Sequence, residues 1–496
     1  MSGSMMIFYG AVVTPVDAST WKALPRCLFC VGSTGNIDWM LEYIQENKLH
    51  EALSQKGYSL DDVVILQDGE FVIPGFIDTH THAPQYPNLG RGGQYQLLDW
   101  LKNVTFPKES QFEDKDFAQE VYSSVVRRSL DCGTTTSCYY ATIHLEATKV
   151  LADIVNRLGQ RAFIGKCNMD CKEENPDYYT EEDAQTSLQE TLALISYIRT
   201  LSPISSHASI GTAPEPLLQA ILTPRFAISC TSELLKGISD LADKYDSKGP
   251  YSSDPRMRIQ THISENRGEI QRTRELFPEA KSYTDVYDRH GILRETTILA
   301  HAVHLTDDEI RMIKERNAGI SHCPTSNFNL CSGVAPIGKY LDKGIKVGLG
   351  TDVSGGFAVS MLNAIQHASI ASKIIAMNAV APGNSAKQRF AGTQFSIQTL
   401  FYLATLGGAE VCNLGHRIGS FSPGKSFDAL WVSVLDAKGS TGVWGKEATS
   451  DGAIDVRTQK LEENLERFLF CGDDRNILRV YVQGCLVGGQ SFEKKD

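Results

Sequence analysis

Short apolar runs alternate with longer amphipathic stretches along the chain from Phe71 to Asp352. The apolar runs have the length and composition of buried strands, and the amphipathic stretches repeat their apolar residues with a helical period. Eight strands that alternate with helices predict a parallel sheet closed into a barrel. The predicted barrel strands span residues 74–82, 133–139, 161–167, 218–226, 258–265, 297–304, 319–322 and 346–352, and further helices continue to about residue 413.

The two ends of the chain carry apolar runs that do not alternate with helices. These runs span residues 6–15, 28–31, 63–66, 427–432 and 478–487, and the polar stretch 36–60 predicts a helix and a loop. We expect the first and last segments to complete one sheet together. The predicted fold class is α/β, a (β/α)8 TIM-like barrel (71–413) with a small discontinuous β-sandwich domain (1–70 and 414–496).

Polar side chains suited to metal binding lie where the predicted barrel strands end. His80 and His82 stand two positions apart in a strand, so their imidazoles point to the same face. Two convergent neutral imidazoles are ligands that zinc prefers. A barrel of this kind carries its active site at the carboxyl ends of its strands, which predicts one shared site. Further candidates at strand ends are Arg225, His262, Glu265, His301 and Asp352.

Each candidate also has a purely structural explanation. An isolated H-x-H pair can place one histidine in the core and the other at the surface. His262 and His301 can be core histidines. Glu265 can be a first-turn acid of the next helix, and Asp352 can cap a helix N-terminus. The spacing alone leaves these alternatives open.

Composition and charge restrict the class of protein. A formal net charge of -11 without a basic cluster argues against a surface that coats nucleic acid. The N-terminus lacks the pattern of a secretory signal, and we find no apolar stretch long enough to span a bilayer, so we expect a cytoplasmic protein. Twelve cysteines are too dilute for a disulfide scaffold and are expected to be free thiols.

Three other stretches carry weaker signals. Residues 419–426 (GSFSPGKS) match the phosphate-binding loop, but a strand-like run follows where that loop needs a helix. Residues 144–146 (HLE) have the H-x-E form of another zinc motif, which also requires a P-C-x-x-C sequence that the chain lacks. The tract from Tyr245 to Arg256 is rich in Ser, Asp, Gly and Pro and predicts a mobile excursion.

The motifs together resemble the amidohydrolase superfamily. The resemblance rests on PGFIDTHTH (74–82), on the separate strand with His262, on His301 and on GTD (350–352). It implies a metal-bearing barrel with a small β-sandwich. Within the superfamily, the similarity to members that deaminate guanine covers nearly the whole barrel. The tracts that carry this similarity are HAPQY (82–86), TPRF (223–226) and HISENR (262–267).

The resemblance implies one Zn²⁺ per chain. Its implied ligands are His80, His82, His262 and Asp352, with water as an additional ligand. Arg225 occupies the end of the fourth strand, where a lysine would otherwise bridge two metals, which agrees with a mononuclear site.

The resemblance also implies the substrate and the reaction. The implied substrate contacts are His82, Gln85, Arg225, Phe226, His262, Glu265 and Asp352. Arg225 can donate to the purine O6, the Gln85 amide can donate and accept, and the Phe226 ring can pack on the base. A zinc-activated water then attacks C2 of guanine, which yields xanthine and ammonia. Glu265 and Asp352 move protons, and His301 stabilises the attacking oxygen.

Other functions remain open at this stage. A related metal-dependent deaminase or hydrolase could act on adenine, 8-oxoguanine, a pterin or a triazine. Relatives of this barrel can also be non-catalytic scaffolds, but such proteins tend to lose metal ligands, and all four candidates are present here. The family resemblance further implies a homodimer.

Overall fold

The computed structural model describes residues 5–201, 216–245, 256–379, 389–435, 443 and 453–492. Strands and helices alternate through the middle of the chain, as the apolar pattern predicts. The strands are β1 (Met6–Asp17), β2 (Thr20–Val31), β3 (Ile37–Glu42), β4 (Val63–Ile65), β5 (Glu70–Pro74), β6 (Phe76–His82), β7 (Thr134–Tyr140), β8 (Arg161–Gly165), β9 (Cys167–Asn168), β10 (Leu218–Pro224), β11 (Arg258–Ile263), β12 (Thr297–His301), β13 (Gly319–His322), β14 (Lys346–Leu349), β15 (Ala429–Ser433), β16 (Ile477–Val482) and β17 (Cys485–Gly488).

The helices follow the same alternation, and short 3-10 turns and one π-helical turn (Leu101–Thr105) lie between them. Within the described ranges, no helix has the length and apolar character needed to cross a membrane. The helices are α1 (Glu46–Gln55), α2 (Leu97–Trp100), α3 (Phe106–Glu109), α4 (Lys115–Asp131), α5 (Leu145–Leu158), α6 (Ala184–Thr200), α7 (Ser232–Asp243), α8 (Arg267–Leu276), α9 (Tyr283–Arg289), α10 (Asp307–Glu315), α11 (Pro324–Asn329), α12 (Ile337–Asp342), α13 (Met361–Asn378), α14 (Ile397–Ala404), α15 (Leu406–Val411) and α16 (Ile454–Cys471).

The barrel is a parallel sheet in the order β6, β7, β8, β10, β11, β12, β13, β14, which confirms the predicted (β/α)8 architecture. The first and last strands meet at their carboxyl ends. There the amide of Asp352 donates to the carbonyl of His80 (2.9 Å), and the amide of His82 donates to the carbonyl of Val353 (3.2 Å). This seam joins two of the candidate metal-binding segments directly.

The opposite end of the barrel is filled by apolar side chains. Ile77, Cys138 and Phe163 from neighbouring strands pack with Val411 and Leu414, which lie at and just after the end of α15. This core closes the lower end of the barrel, so the carboxyl ends of the strands remain as the place for a site.

The small sheet joins both ends of the chain, as predicted. Its order is β17, β16, β15, β5, β1, β2, β3, and β4 pairs with β1. Two details differ from the sequence prediction. Residues 37–42, expected in a helix and loop, form β3 against β2, because Trp39 and Leu41 pack against one apolar cluster and Met40 packs against another. The run that begins near Phe71 is split by Gly75, and its first part, β5, pairs with β1 and β15 in the small sheet.

The stretches with weaker sequence signals form ordinary structural elements where the structure describes them. A strand, β15, follows residues 419–426 as predicted, and the ammonium of Lys425 donates to the Gly415 carbonyl (2.6 Å) and to Ser420 Oγ (2.6 Å). Glu146 lies in the first turn of α5 and pairs with Lys149, as expected of a helix-start acid. All twelve cysteines are free. The predicted excursion lies mostly outside the described residues, since 246–255 are not among them.

A buried ion pair joins the barrel to the small sheet. Arg161 of β8 donates from Nε to Asp428 Oδ2 (2.8 Å), and Ser426 Oγ also donates to Asp428 (2.7 Å). Neither partner of the ion pair is more than 2% exposed.

Asp428→Ala is expected to destabilise the protein by about 3–5 kcal/mol, because it leaves the Arg161 charge buried without its partner. Asp240→Ala is a matched control that breaks the exposed Lys236–Asp240 pair (2.7 Å) and is expected to cost less than about 1 kcal/mol. Chemical denaturation monitored by circular dichroism compares the two variants. Equal midpoints for both would show that the buried pair contributes little.

Candidate metal centre and substrate pocket

The histidine strand β6 delivers two imidazoles to one point. All seven of its residues are buried, and both His80 and His82 reach the carboxylate of Asp352. His80 Nε2 lies 3.1 Å and His82 Nε2 lies 3.5 Å from Asp352 Oδ1. The alternative in which one histidine of the pair lies at the surface is therefore wrong.

His262 joins them from the end of β11. Its Nδ1 lies 2.5 Å from the carbonyl oxygen of Arg225, an acceptor that requires the proton on Nδ1. The Nε2 lone pair then points into the site, where it lies 3.2 Å from His82 Nε2. A carbonyl that fixes the outer nitrogen is a common arrangement for metal-binding histidines.

Asp352 follows β14 in a left-handed backbone conformation (φ +47°) and does not cap a helix. The preceding residue, Thr351, donates from its amide to Asp78 Oδ1 (3.0 Å), and the amide of His80 donates to the same oxygen (3.2 Å). Asp78, in the middle of β6, thus ties the end of β14 to the histidine strand. Sequence reasoning did not identify this positioning role, although Asp78 lies within the quoted motif.

His301 approaches the second carboxylate oxygen of Asp352, Oδ2, and Glu265 lies beside His301. His301 Nε2 is 3.5 Å from Glu265 Oε2 and 3.7 Å from Asp352 Oδ2, and its Nδ1 lies 3.0 Å from Asn327 Oδ1. Glu265 precedes α8, whose N-cap is Asn266, so its carboxylate belongs to the site and not to the first helical turn. The structure therefore brings all the predicted strand-end residues together.

The donors fit a divalent metal ion. Among the described residues, the ligand atoms of His80, His262, His301 and Asp352 all lie within 4.8 Å of one another, and His82 adjoins this group. Nε2 of both His80 and His301 is buried and makes no hydrogen bond. Imidazoles with free inward-facing nitrogens beside a carboxylate suit zinc and similar first-row metals.

The protonation states agree with this chemistry. Loss of hydration lowers the pKa of His80 and holds the pKa values of His82 and His262 well below the usual range, so these rings are neutral ligands. Burial alone would raise the pKa of Asp352, but the adjacent histidines, first among them His80, hold it well below its usual range. The carboxylate is therefore ionised.

The pKa of Glu265 is shifted in the opposite direction to that of Asp352. Burial raises its pKa to about 7, against the influence of His301, and the negative charge of Asp352 adds to the rise. The His301 pKa is raised, because Glu265 and Asp352 outweigh the effect of burial. A carboxyl group near neutrality beside a metal-binding cluster is suited to take up and release a proton at pH 7.

A pocket opens directly over this cluster. The predicted substrate residues Gln85, Arg225 and Phe226 all line it, together with the metal-facing side chains. Its apolar wall comes from the segment between β6 and α4, a contribution that the sequence patterns did not indicate. That wall consists of Leu97, Trp100 and Leu101, which belong to the same apolar cluster as Leu330.

Glu109 supports the polar end of the pocket and was missed from the sequence. It is fully buried and accepts from Arg225 Nη1 on Oε2 (2.7 Å) and from Gln85 Nε2 on Oε1 (2.8 Å). Tyr179 OH also donates to Oε2 (2.7 Å). Glu109 ends the short helix α3 in an otherwise polar stretch, and this sequence context resembles that of an ordinary surface acid.

The amidohydrolase family model matches residues 71–487. The chain belongs to the amidohydrolase family. Curated relatives match this chain along nearly its whole length. A probable guanine deaminase of Schizosaccharomyces pombe is 42% identical over 93% of this chain and 79% of its own, and the guanine deaminase of Dictyostelium discoideum is 40% identical over 96% and 97%. The human guanine deaminase is 36% identical over 96% of this chain and 95% of its own.

Solved structures of guanine deaminases are also similar to this chain over nearly its whole length. The guanine deaminase of C. acetobutylicum, solved with guanine bound in its active site, superposes with a TM-score of 0.80 at 32% identity, and covers 97% of this chain and 100% of that one. The E. coli guanine deaminase gives 0.78 at 28% identity, with 98% and 100% coverage. An adenosine deaminase and a triazine hydrolase share the fold at 20% and 19% identity.

Proposed function

We propose that this chain catalyses the hydrolytic deamination of guanine to xanthine and ammonia, a reaction of purine catabolism and salvage. The observation that carries the proposal is the pocket itself. Arg225, Gln85 and Phe226 face the same cavity as the histidine and carboxylate cluster, so a base held by them lies against the cluster. The guanine-bound relative supports the choice of base.

We assign the metal to His80, His82, His262 and Asp352, and we propose one Zn²⁺ per chain. A metal held there acts as a Lewis acid that lowers the pKa of water toward ~7. His301 Nε2 lies 3.7 Å from Asp352 Oδ2, whereas His82 Nε2 approaches Oδ1, and the outer nitrogen of His301 is held by Asn327. We assign His301 to stabilisation of the attacking oxygen and not to the metal.

Glu265 transfers the protons in the proposed deamination. Ser332 Oγ donates to its Oε1 (3.0 Å), which fixes the carboxyl group with Oε2 toward His301. From there Glu265 takes a proton from water, passes it to the ring nitrogen N3 and helps to deliver a proton to the leaving ammonia. The ionised Asp352 shares the first of these transfers.

Recognition of guanine rests on hydrogen-bond donors and on stacking. Arg225 can donate to O6, whereas an adenine amino group at that position would face a donor with nothing to accept. The Phe226 ring, 6% exposed, can pack on the face of the base. The Gln85 amide can add a hydrogen bond to a polar atom at the edge of the base.

A substrate panel tests the proposed function. Guanine is expected to react, with loss of its ultraviolet absorbance and release of one ammonia, whereas adenine and cytosine are expected not to react. A pterin, 8-oxoguanine and a triazine test the alternative deaminase and hydrolase activities. Turnover of one of these in place of guanine would replace the proposal, and absence of turnover of every member by the zinc-loaded protein would favour a scaffold.

The assembly and location of the protein stay predictions. The homodimer and the cytoplasmic location derive from the sequence resemblance and from composition. Sedimentation of the purified chain tests the dimer.

A further inference from the structure

Glu109 is electrically paired with Arg225 at the polar end of the pocket. The guanidinium donates from Nη1 to Oε2 (2.7 Å) and from Nη2 to Oε1 (3.1 Å), a two-point contact between side chains that are each at most 2% exposed. Burial alone would lower the pKa of Arg225, and the Glu109 carboxylate more than offsets this effect. This two-point contact is that of an arginine–carboxylate ion pair, so the two side chains are nearly neutral as a unit.

The same carboxylate fixes the orientation of Gln85. Its Oε1 accepts from Gln85 Nε2 (2.8 Å), and the Gln85 oxygen in turn accepts from the amide of Ser354 (3.0 Å). With Tyr179 on Oε2, Glu109 receives four donors, about as many as a carboxylate accepts. Glu109 thus holds both predicted recognition side chains without reaching the pocket surface itself.

We propose that Glu109 is a specificity-determining positioning residue that makes this end of the pocket select neutral purine bases and reject purine anions. The proposal rests on the proposed function. An unpaired guanidinium in a buried pocket would attract an anion strongly, because charge interactions are weakly screened there. With Glu109 beside it, Arg225 offers donors to a neutral carbonyl without offering net charge.

Guanine and its deamination product, xanthine, differ in acidity. Hydrolysis replaces the C2 amino group of guanine by a second ring carbonyl, and a ring N–H between or beside two carbonyls is more acidic than one in guanine. Xanthine therefore becomes an anion at a lower pH than guanine does. A pocket that is neutral at the Arg225 end binds guanine and releases xanthine as it ionises, which limits inhibition by the product.

Inhibition by xanthine tests this inference. Its Ki is measured below and above the first ionisation of xanthine in zinc-loaded wild-type protein and in Glu109→Gln. In the wild type, Ki is expected to rise with pH as the neutral fraction falls. In Glu109→Gln, the ratio of high-pH to low-pH Ki is expected to fall at least about tenfold relative to wild type, because Arg225 is left uncompensated.

Two further variants separate charge from structure. Tyr179→Phe removes one hydrogen bond to Glu109 but keeps its charge, and its Ki ratio is expected to stay within about twofold of wild type. Arg225→Gln leaves the Glu109 charge uncompensated and is expected to raise the ratio instead, which tests the idea even if Glu109→Gln does not fold. Xanthine binding by calorimetry replaces Ki in a variant without turnover.

The other titratable groups that face the pocket do not differ between these proteins. The same groups are present in all of these proteins, but Arg225 is one of the charges that lower the pKa of His82, so Glu109→Gln, which keeps Arg225, is the primary comparison. These groups are His82, His262, Glu265, Glu269, His301 and Asp352. Equal ratios in wild type, Glu109→Gln and Arg225→Gln would overturn the inference while guanine turnover by the wild type stands. Wild-type protein that neither binds xanthine nor deaminates guanine would overturn the proposed function as well.

Discussion

Glu265→Gln is expected to lower kcat for guanine by about 10²–10⁴-fold, the usual contribution of a positioned acid or base. The substitution keeps the size of the side chain and the hydrogen bond from Ser332 but removes the ability to exchange a proton near pH 7. The metal content is expected to stay the same, because Glu265 lies on the His301 side of the cluster.

The measurement is the initial rate at saturating guanine, with zinc determined by elemental analysis on the same sample. Glu275→Gln is the control. Glu275 lies on the exposed surface of α8 in an ion pair with Arg272, so its substitution is expected to leave kcat unchanged. Near wild-type turnover in Glu265→Gln would show that another group moves the proton.

His82→Ala and His301→Ala are expected to separate metal binding from catalysis. Removal of His82 is expected to abolish stable zinc binding and to lower kcat/KM by about 10³-fold or more, since the metal supplies several kcal/mol of stabilisation to the transition state. Removal of His301 is expected to leave zinc in place and to lower kcat, because its nitrogen faces the reacting oxygen and not the metal in this assignment.

The alternative assignment has a geometric basis and gives the reverse result. His301 belongs to the compact group of possible ligand atoms, whereas His82 adjoins that group through His262. Zinc analysis after dialysis decides between the two assignments. Circular dichroism establishes that each variant is folded. Loss of zinc in His301→Ala with retention in His82→Ala would exchange the two roles.

The site was predictable from sequence because its residues mark the ends of regular strands. The spacing of His80 and His82 fixes their common face, and the barrel pattern brings His262 and Asp352 to the same rim. Glu109 could not be found in this way. Its role depends on the path of the irregular segment between β6 and α4, which carries no periodic signal and is positioned by contacts with Arg225 and Tyr179.

The fold was also predictable where the sequence pattern is regular and was missed where it is not. The eight barrel strands were predicted because buried parallel strands are short runs rich in apolar and β-branched residues. The edge strand β3 was missed because Asp38 and Glu42 are exposed and only Ile37 is fully buried, and the helix α16 lies in the last segment, where strands alone were predicted. Gly75 divides β5 from β6 without a polar interruption, so the passage from the small sheet to the barrel leaves almost no trace in the sequence.

Anomalous diffraction at the zinc edge, from crystals of the zinc-loaded protein, locates the proposed metal site. We expect one peak per chain, enclosed by the inward nitrogens of His80, His82 and His262 and the carboxylate of Asp352. A peak elsewhere, a second peak in the same cavity, or no peak in a protein that still deaminates guanine would contradict it.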